Sequence, residues 1–71
     1  MDRDLLNSLN ENEIETVLAF AEHDMTVQRT AKEGFLHYNT VLYRLSRVKD
    51  KTGLDPRNFY DLVKLVQMLG K

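Results

Sequence analysis

The chain has 71 residues, of which 42% are hydrophobic and 30% charged, with no cysteine and a formal net charge of −1. This length allows one domain with a small core, and the lack of cysteine excludes disulfides and thiolate metal sites. No apolar run approaches the roughly 18 residues of a membrane span and no signal-peptide pattern opens the chain, so we expect a cytoplasmic protein without a membrane partner.

The first firm helix is predicted over residues 11–23. Asn10 can cap its start, and Glu13 follows at the spacing of a capping box. The inner face is predicted from apolar residues at helical spacing, and these are Ile14, Val17, Leu18 and Ala21. Phe20 is expected at the edge of that face.

A second, shorter helix is predicted over residues 26–34, with Thr26 as its cap. Its inner face should contain Val27, Thr30 and Ala31. We expect Gly34 to end this helix in the left-handed conformation that glycine adopts readily. Phe35 and Leu36 follow in the turn, where both are expected to fill the core.

The third helix is predicted over residues 38–51, and a helical wheel divides it into two faces. The residues expected to face inward are Val41, Leu45, Val48 and Thr52. Those expected to face outward are Asn39, Tyr43, Ser46, Arg47 and Asp50, with Thr40 beside them and Arg44 on the flank. Gly53 should end the helix, and Leu54 should make the apolar contact that accompanies a glycine cap.

The last helix is predicted to open at Asp55 and Pro56, as a cap followed by proline in the first turn. Its apolar stripe is expected to contain Phe59, Leu62, Val63, Val66 and Leu69. Leu65 and Met68 widen that stripe to one side, and Gly70 should end the helix. No segment of the sequence shows the alternating apolar and polar pattern of a β-strand, so the predicted fold class is all-α.

The predicted architecture is a compact bundle of four to five helices. Residues 1–9 are expected to form a linker or short helix ahead of a domain spanning residues 10–71. Two short helices joined by a tight turn are typical of a helix-turn-helix. The supporting helix would be 26–34 and the recognition helix 38–51.

The net charge conceals a strong asymmetry along the chain. Residues 1–24 carry seven acids against one base, for a charge of −6, while residues 25–71 carry nine bases against four acids, for +5. The local field decides what approaches a surface, so the basic part favours a nucleic-acid partner.

The outward face of the third helix is the candidate binding surface. Arg44, Arg47 and Lys49 lie on the second helix of the pair, while Asn39 and Thr40 in its first turn are short polar groups that can reach base edges and phosphates. Tyr43 can lie along a sugar or donate its hydroxyl to a phosphate. Two plainer interpretations stay open: a solvated helix face, and a tyrosine packed against the first helix or a partner subunit.

Other functions find little support in the sequence. The two histidines, His23 and His37, form no ligand cluster with a recognised spacing, so no metal or other cofactor is expected. No nucleophile elbow, phosphate loop or metal-binding helix is present, so we do not expect an enzyme. The alternative function is a helical protein-interaction or dimerisation module, which would dock through the outer face of the last helix.

The run H-x-N-T-x-x-Y-R-L-x-R, from His37 to Arg47, resembles the signature of the C-terminal DNA-binding domain of PucR/CdaR-type bacterial transcription regulators. Ala31 lies six residues before this run, and the segment T-G-L-D-P follows at the matching distance. The resemblance covers roughly residues 12 to 70. It implies a helical or winged-helix-like domain that docks on promoter DNA, behind an upstream sensor domain in a longer regulator.

The resemblance implies that the DNA-contacting positions of the recognition helix are Asn39, Thr40, Tyr43, Arg44 and Arg47. The complete predicted DNA-binding set adds residues of the supporting helix, the turn and the end of the recognition helix, and these are Arg29, Lys32, His37, Tyr38 and Lys49. Two positions depart from the family pattern, because Gly34 stands where leucine is usual and Tyr38 where a basic residue is common. We expect weak binding by a monomer and useful affinity from a homodimer on paired half-sites of double-stranded DNA.

Overall fold

The computed structural model describes residues 7–70, in which the regular secondary structure is four α-helices without a strand. They are α1 (Glu11–Glu22), α2 (Val27–Glu33), α3 (Tyr38–Thr52) and α4 (Phe59–Met68). The all-α class is confirmed, and within this part of the chain there is no wing. Expectations for residues 1–6 lie outside the described residues. None of the helices described is long and apolar enough to cross a membrane.

The predicted capping box opens α1. The Asn10 side chain accepts a hydrogen bond from the Glu13 N–H at 2.8 Å, and Glu13 Oε1 accepts one from the Asn10 N–H at 3.0 Å. α1 packs against all three other helices, and its buried face is rotated from the predicted one. Ile14, Leu18 and Ala21, expected to face inward with Val17, are only half-buried. Phe20, expected at the edge, is buried beside Val17, and the polar residues Glu13 and Thr16 are buried too.

The turn between α2 and α3 corrects two expectations. Gly34 has an ordinary φ of −94°, and the left-handed residue is Phe35 with φ of +55°. Leu36 packs against the core, and its N–H donates to the Ala31 carbonyl at 2.8 Å. Phe35, which was also expected to fill the core, instead points outward and is 96% exposed.

The third helix matches its prediction closely. Val41, Leu45 and Val48 are buried, and the residues predicted to face outward are all exposed. Gly53 ends α3 in the left-handed conformation with φ of +76°, donating its N–H to the Lys49 carbonyl at 2.8 Å. The register of this helix was therefore predicted correctly.

The start of α4 was predicted wrongly. The helix begins at Phe59 with Asn58 as its cap, and the Asn58 side chain accepts a hydrogen bond from the Asp61 N–H at 3.1 Å. Asp55 and Pro56 instead form the turn before it. Asp55 Oδ1 accepts a hydrogen bond from the Arg57 N–H at 2.9 Å within that turn.

The buried face of α4 is also rotated from the predicted stripe. Leu62 and Leu65 are the buried residues, although Leu65 was expected at the side. Phe59 and Val63, expected in the stripe, are 59% and 37% exposed. The apolar arc of α4 is wider than the surface that α1 covers, so one edge of it remains in solvent.

Candidate nucleic-acid interface

The helix pair α2 and α3 forms the predicted helix-turn-helix. The four residues 34–37 connect the two helices, which pack directly on each other. Both contribute to one core, α2 through Ala31 and α3 through Val41, Leu45 and Val48. This packing leaves the opposite face of α3 in solvent.

The exposed face of α3 carries polar, aromatic and cationic side chains. Asn39, Tyr43 and Arg47 are exposed at successive helical turns, with Tyr43 at 65%. Thr40 and Arg44 are half-buried beside them. Within residues 7–70 the side chains of these five residues make no hydrogen bond or ion pair. Their hydrogen-bonding groups are available to an external partner.

The remaining predicted site residues flank this face. His37 occupies the cap position of α3 without a side-chain capping bond, and Tyr38 at the first helical position is 52% exposed. Arg29 and Lys32 are exposed on α2, three residues apart and hence on one side of that helix. Lys49 is exposed near the end of α3.

The structure also contains a part-buried ion pair between α1 and α3, which the sequence did not indicate. Lys51 Nζ lies 2.8 Å from Glu13 Oε1, and the Glu13 side chain is only 5% exposed. Burial raises the pKa of Glu13, but hydrogen bonds from Lys51 and the Asn10 N–H and the nearby charges of Lys51 and Arg47 outweigh it, so the pKa lies below its usual value. The capping-box spacing identified Glu13, whereas no local signal identified Lys51 as its partner.

A second surface lies between the end of α1 and α4. It is a groove of about 540 Å³ with a mainly apolar lining, formed by Ala21, Asp24, Met25, Phe59, Leu62, Val63, Val66 and Gln67. Since α4 packs mainly on α1, this groove is separate from the exposed face of α3. Within residues 7–70 no cluster of three or more histidines or carboxylates could hold a metal ion.

Residues 14–69 match the PucR C-terminal helix-turn-helix domain. This match agrees with the helix pair and the exposed face of α3. The chain belongs to this family. The resemblance drawn from the signature around His37 to Arg47 is thereby confirmed. Membership in the PucR-type family supports DNA-binding transcription regulation as the functional class, and such domains are not enzymes.

Bacterial relatives carry the same domain within much longer chains. The carbohydrate diacid regulator of Escherichia coli is 42% identical over 50 residues, covering 70% of this chain and 13% of the relative. An uncharacterized protein of Mycobacterium tuberculosis is 44% identical over 43 residues, covering 61% and 10%. The PucR-type chain therefore spans about a tenth of the length of the curated relatives it matches. No solved structure matches it significantly.

Proposed function

We propose that this PucR-type domain binds double-stranded DNA sequence-specifically, with α3 in the major groove. The main observation that supports this proposal is the exposed face of α3. Its Asn39, Tyr43 and Arg47 side chains have no hydrogen-bond or ion-pair partner within residues 7–70. A recognition helix needs this arrangement, because side chains already paired within the domain would have to break those bonds to reach DNA.

The residue types suggest a division of roles. Asn39 and Thr40 lie in the first turn of α3, the part of a recognition helix that contacts base edges. Arg44 and Arg47 would contact bases or phosphates, and Tyr43 the sugar–phosphate strand. Phosphate contacts would come from the flanking cations, which are Arg29, Lys32 and Lys49. His37 and Tyr38 complete the set at the start of α3.

The setting proposed for the domain is a longer bacterial regulator in the cytoplasm, associated with the nucleoid. The coverage of the relatives supports an additional upstream domain, which in this class would sense a metabolite. The acids of α1, including the exposed Glu11 and Glu15, would face away from DNA or toward that domain. One copy offers few phosphate contacts, so a homodimer on paired half-sites would provide the working affinity.

An amide NMR titration of the labelled domain with a pool of mixed-sequence duplexes at low salt tests this proposal. We expect shifts in residues 29–32 and 37–49 that fade as salt rises, because counterion release drives phosphate contacts. Arg47→Ala should weaken the titration, and Lys64→Ala is the matched control because Lys64 is an exposed cation on α4. An unchanged titration in both Arg44→Ala and Arg47→Ala would disprove the placement of the recognition helix.

One observation favours a second candidate function, a protein-interaction or dimerisation module. The apolar groove between α1 and α4 leaves Phe59 and Val63 in solvent, where a protein partner could cover them. This function predicts amide shifts in residues 57–68 as protein concentration rises, with no response to DNA in residues 37–49.

A further inference from the structure

We infer that Phe35, in the turn of the helix-turn-helix, is an additional DNA-contacting residue that presses its ring on apolar DNA surface. This inference rests on the proposed function. The apolar surface would be a thymine methyl group or the face of a deoxyribose, both of which line the grooves. Phe35 lay outside the site set predicted from the sequence, which placed its ring in the core.

Two observations show that Phe35 carries costs within the domain. Its ring is 96% exposed, and its φ of +55° is a left-handed conformation that residues with a side chain rarely adopt. An exposed phenylalanine gains nothing from burial, and a left-handed one is strained. A polar residue such as asparagine would suit this position better if only the fold mattered.

Met25 provides an internal comparison. It also has a left-handed backbone, with φ of +60°, but its side chain packs against the core. Burial therefore offsets the strain at Met25, whereas within residues 7–70 the ring of Phe35 has no equivalent packing. The hydrogen bonds of the turn account for its backbone conformation but not for the exposed ring, which is free to contact a partner outside the domain.

The glycine next to Phe35 does not occupy the left-handed position. Gly34 occupies a position with an ordinary φ of −94°, while the next position, where glycine would relieve strain, holds phenylalanine. The backbone of Phe35 is fixed on both sides, since its N–H donates to the Lys32 carbonyl at 3.3 Å and the Leu36 N–H donates to Ala31. The ring is thus held outward by a defined turn.

The position of Phe35 identifies DNA as the external surface. It lies between Lys32, a proposed phosphate contact, and Tyr38, the first residue of the recognition helix. Three peptide units separate Phe35 from Tyr38, so their Cα atoms are at most about 11 Å apart. With the start of α3 in the major groove, the turn lies beside the same strand.

Fluorescence anisotropy with a pool of mixed-sequence duplexes at low salt tests the inference. Phe35→Asn should weaken binding about tenfold, because it removes one large apolar contact. The slope of log affinity against log salt should not change, since the ring displaces no counterion. Phe35→Tyr should retain the affinity. Tyr60→Asn, which removes a 75% exposed aromatic on α4, should have no effect.

Thermal unfolding of the same variants separates contact from structure. Asparagine tolerates the left-handed backbone, so Phe35→Asn should leave the unfolding midpoint unchanged or raise it. A lower midpoint together with weaker binding would assign the ring a structural role and overturn the inference. Unchanged affinity in Phe35→Asn would also overturn it. Arg47→Ala in the same series separates this inference from the proposed function. If Phe35→Asn binds like the wild type but Arg47→Ala binds more weakly, only the inference about Phe35 fails. If Phe35→Asn, Arg44→Ala and Arg47→Ala all bind like the wild type, both proposals fail.

Duplexes with deoxyuridine in place of thymidine identify the surface that Phe35 contacts. A weaker complex for the wild type but not for Phe35→Asn would assign the ring to thymine methyl groups. An equal response of the two proteins, with the affinity difference between them retained, would assign it to deoxyribose.

Discussion

Glu13, at the start of α1, accepts a hydrogen bond from Lys51, near the end of α3, over 2.8 Å. The same carboxylate oxygen accepts the Asn10 N–H and so completes the capping box. One buried carboxylate thereby caps α1 and links it to α3, through a residue 38 positions further along the chain. α3 is therefore joined to α1 by this polar link as well as by apolar packing.

Lys51→Met should destabilise the domain by about 1–3 kcal/mol, because it keeps the aliphatic stem but leaves the buried Glu13 carboxylate without its cation. Urea unfolding at neutral pH measures this difference. Lys49→Met is the matched control, since Lys49 is exposed on the same helix, and its effect should stay within about 0.5 kcal/mol. Equal stabilities of the two variants would show that the ion pair contributes nothing net.

The pair also predicts a pH dependence. The folded pKa of Glu13 lies below its usual value, so its ionised form adds stability above the unfolded pKa of about 4.3, and this is lost as pH falls through the folded pKa. The stability advantage of the wild type over Glu13→Gln should therefore be present at neutral pH and be lost progressively in acid, as pH falls below the unfolded pKa and through the lower folded pKa. An advantage that persists in acid would contradict this account. Glu15→Gln, at an exposed position of α1, is the control.

The sequence correctly predicted two features that depend on local chemistry. Asn10 and Glu13 form their capping box, and Gly53 ends α3, because both features are set by backbone groups a few residues apart. The inward face of α3 followed from periodicity since one side of that helix is clearly polar. The exposed face of α3, and hence the candidate site, could be read from the same pattern.

Two local predictions were wrong, namely the left-handed Gly34 and the helix cap at Asp55. The other errors arose where tertiary packing selected among apolar residues. The stripe of α4 includes more apolar residues than α1 can cover, so the pattern alone could not exclude Phe59 and Val63 from the core. In the turn, the pattern likewise could not show that Leu36 packs on the core while Phe35 stays in solvent. The link from Glu13 to Lys51 joins distant parts of the chain and leaves no local signal.

The two internal glycines should respond differently to alanine. Gly53→Ala should cost about 1 kcal/mol, because φ of +76° is strained for a residue with a Cβ although nothing lies within 4 Å of it. Gly34 has an ordinary φ, and an added Cβ would lie 3.2 Å from the Thr30 carbonyl oxygen. That close contact is offset by the reduced entropy of the unfolded chain, so Gly34→Ala should change stability by less than about 0.5 kcal/mol. Thermal unfolding of both variants measures the contrast, and the reverse order would contradict it.

The two kinds of DNA contact should separate in binding measurements. Lys32 projects from α2 and would meet phosphate alone, so Lys32→Ala should weaken all duplexes alike and reduce the salt slope by about one. Arg47 lies on the exposed face of α3, so if it reads a base, Arg47→Ala should cost ~1–3 kcal/mol and relax specificity at one position.

Once selection from a random duplex library has yielded a preferred site, single-base variants of that site distinguish the two outcomes. Lys32→Ala should lose affinity for every variant by the same factor. Arg47→Ala should lose the discrimination at one base pair and keep it elsewhere, because a bidentate arginine contact discriminates through one base edge. If Arg47→Ala also weakens every variant equally, Arg47 contacts phosphate, and base reading falls to Asn39, Thr40 and Arg44.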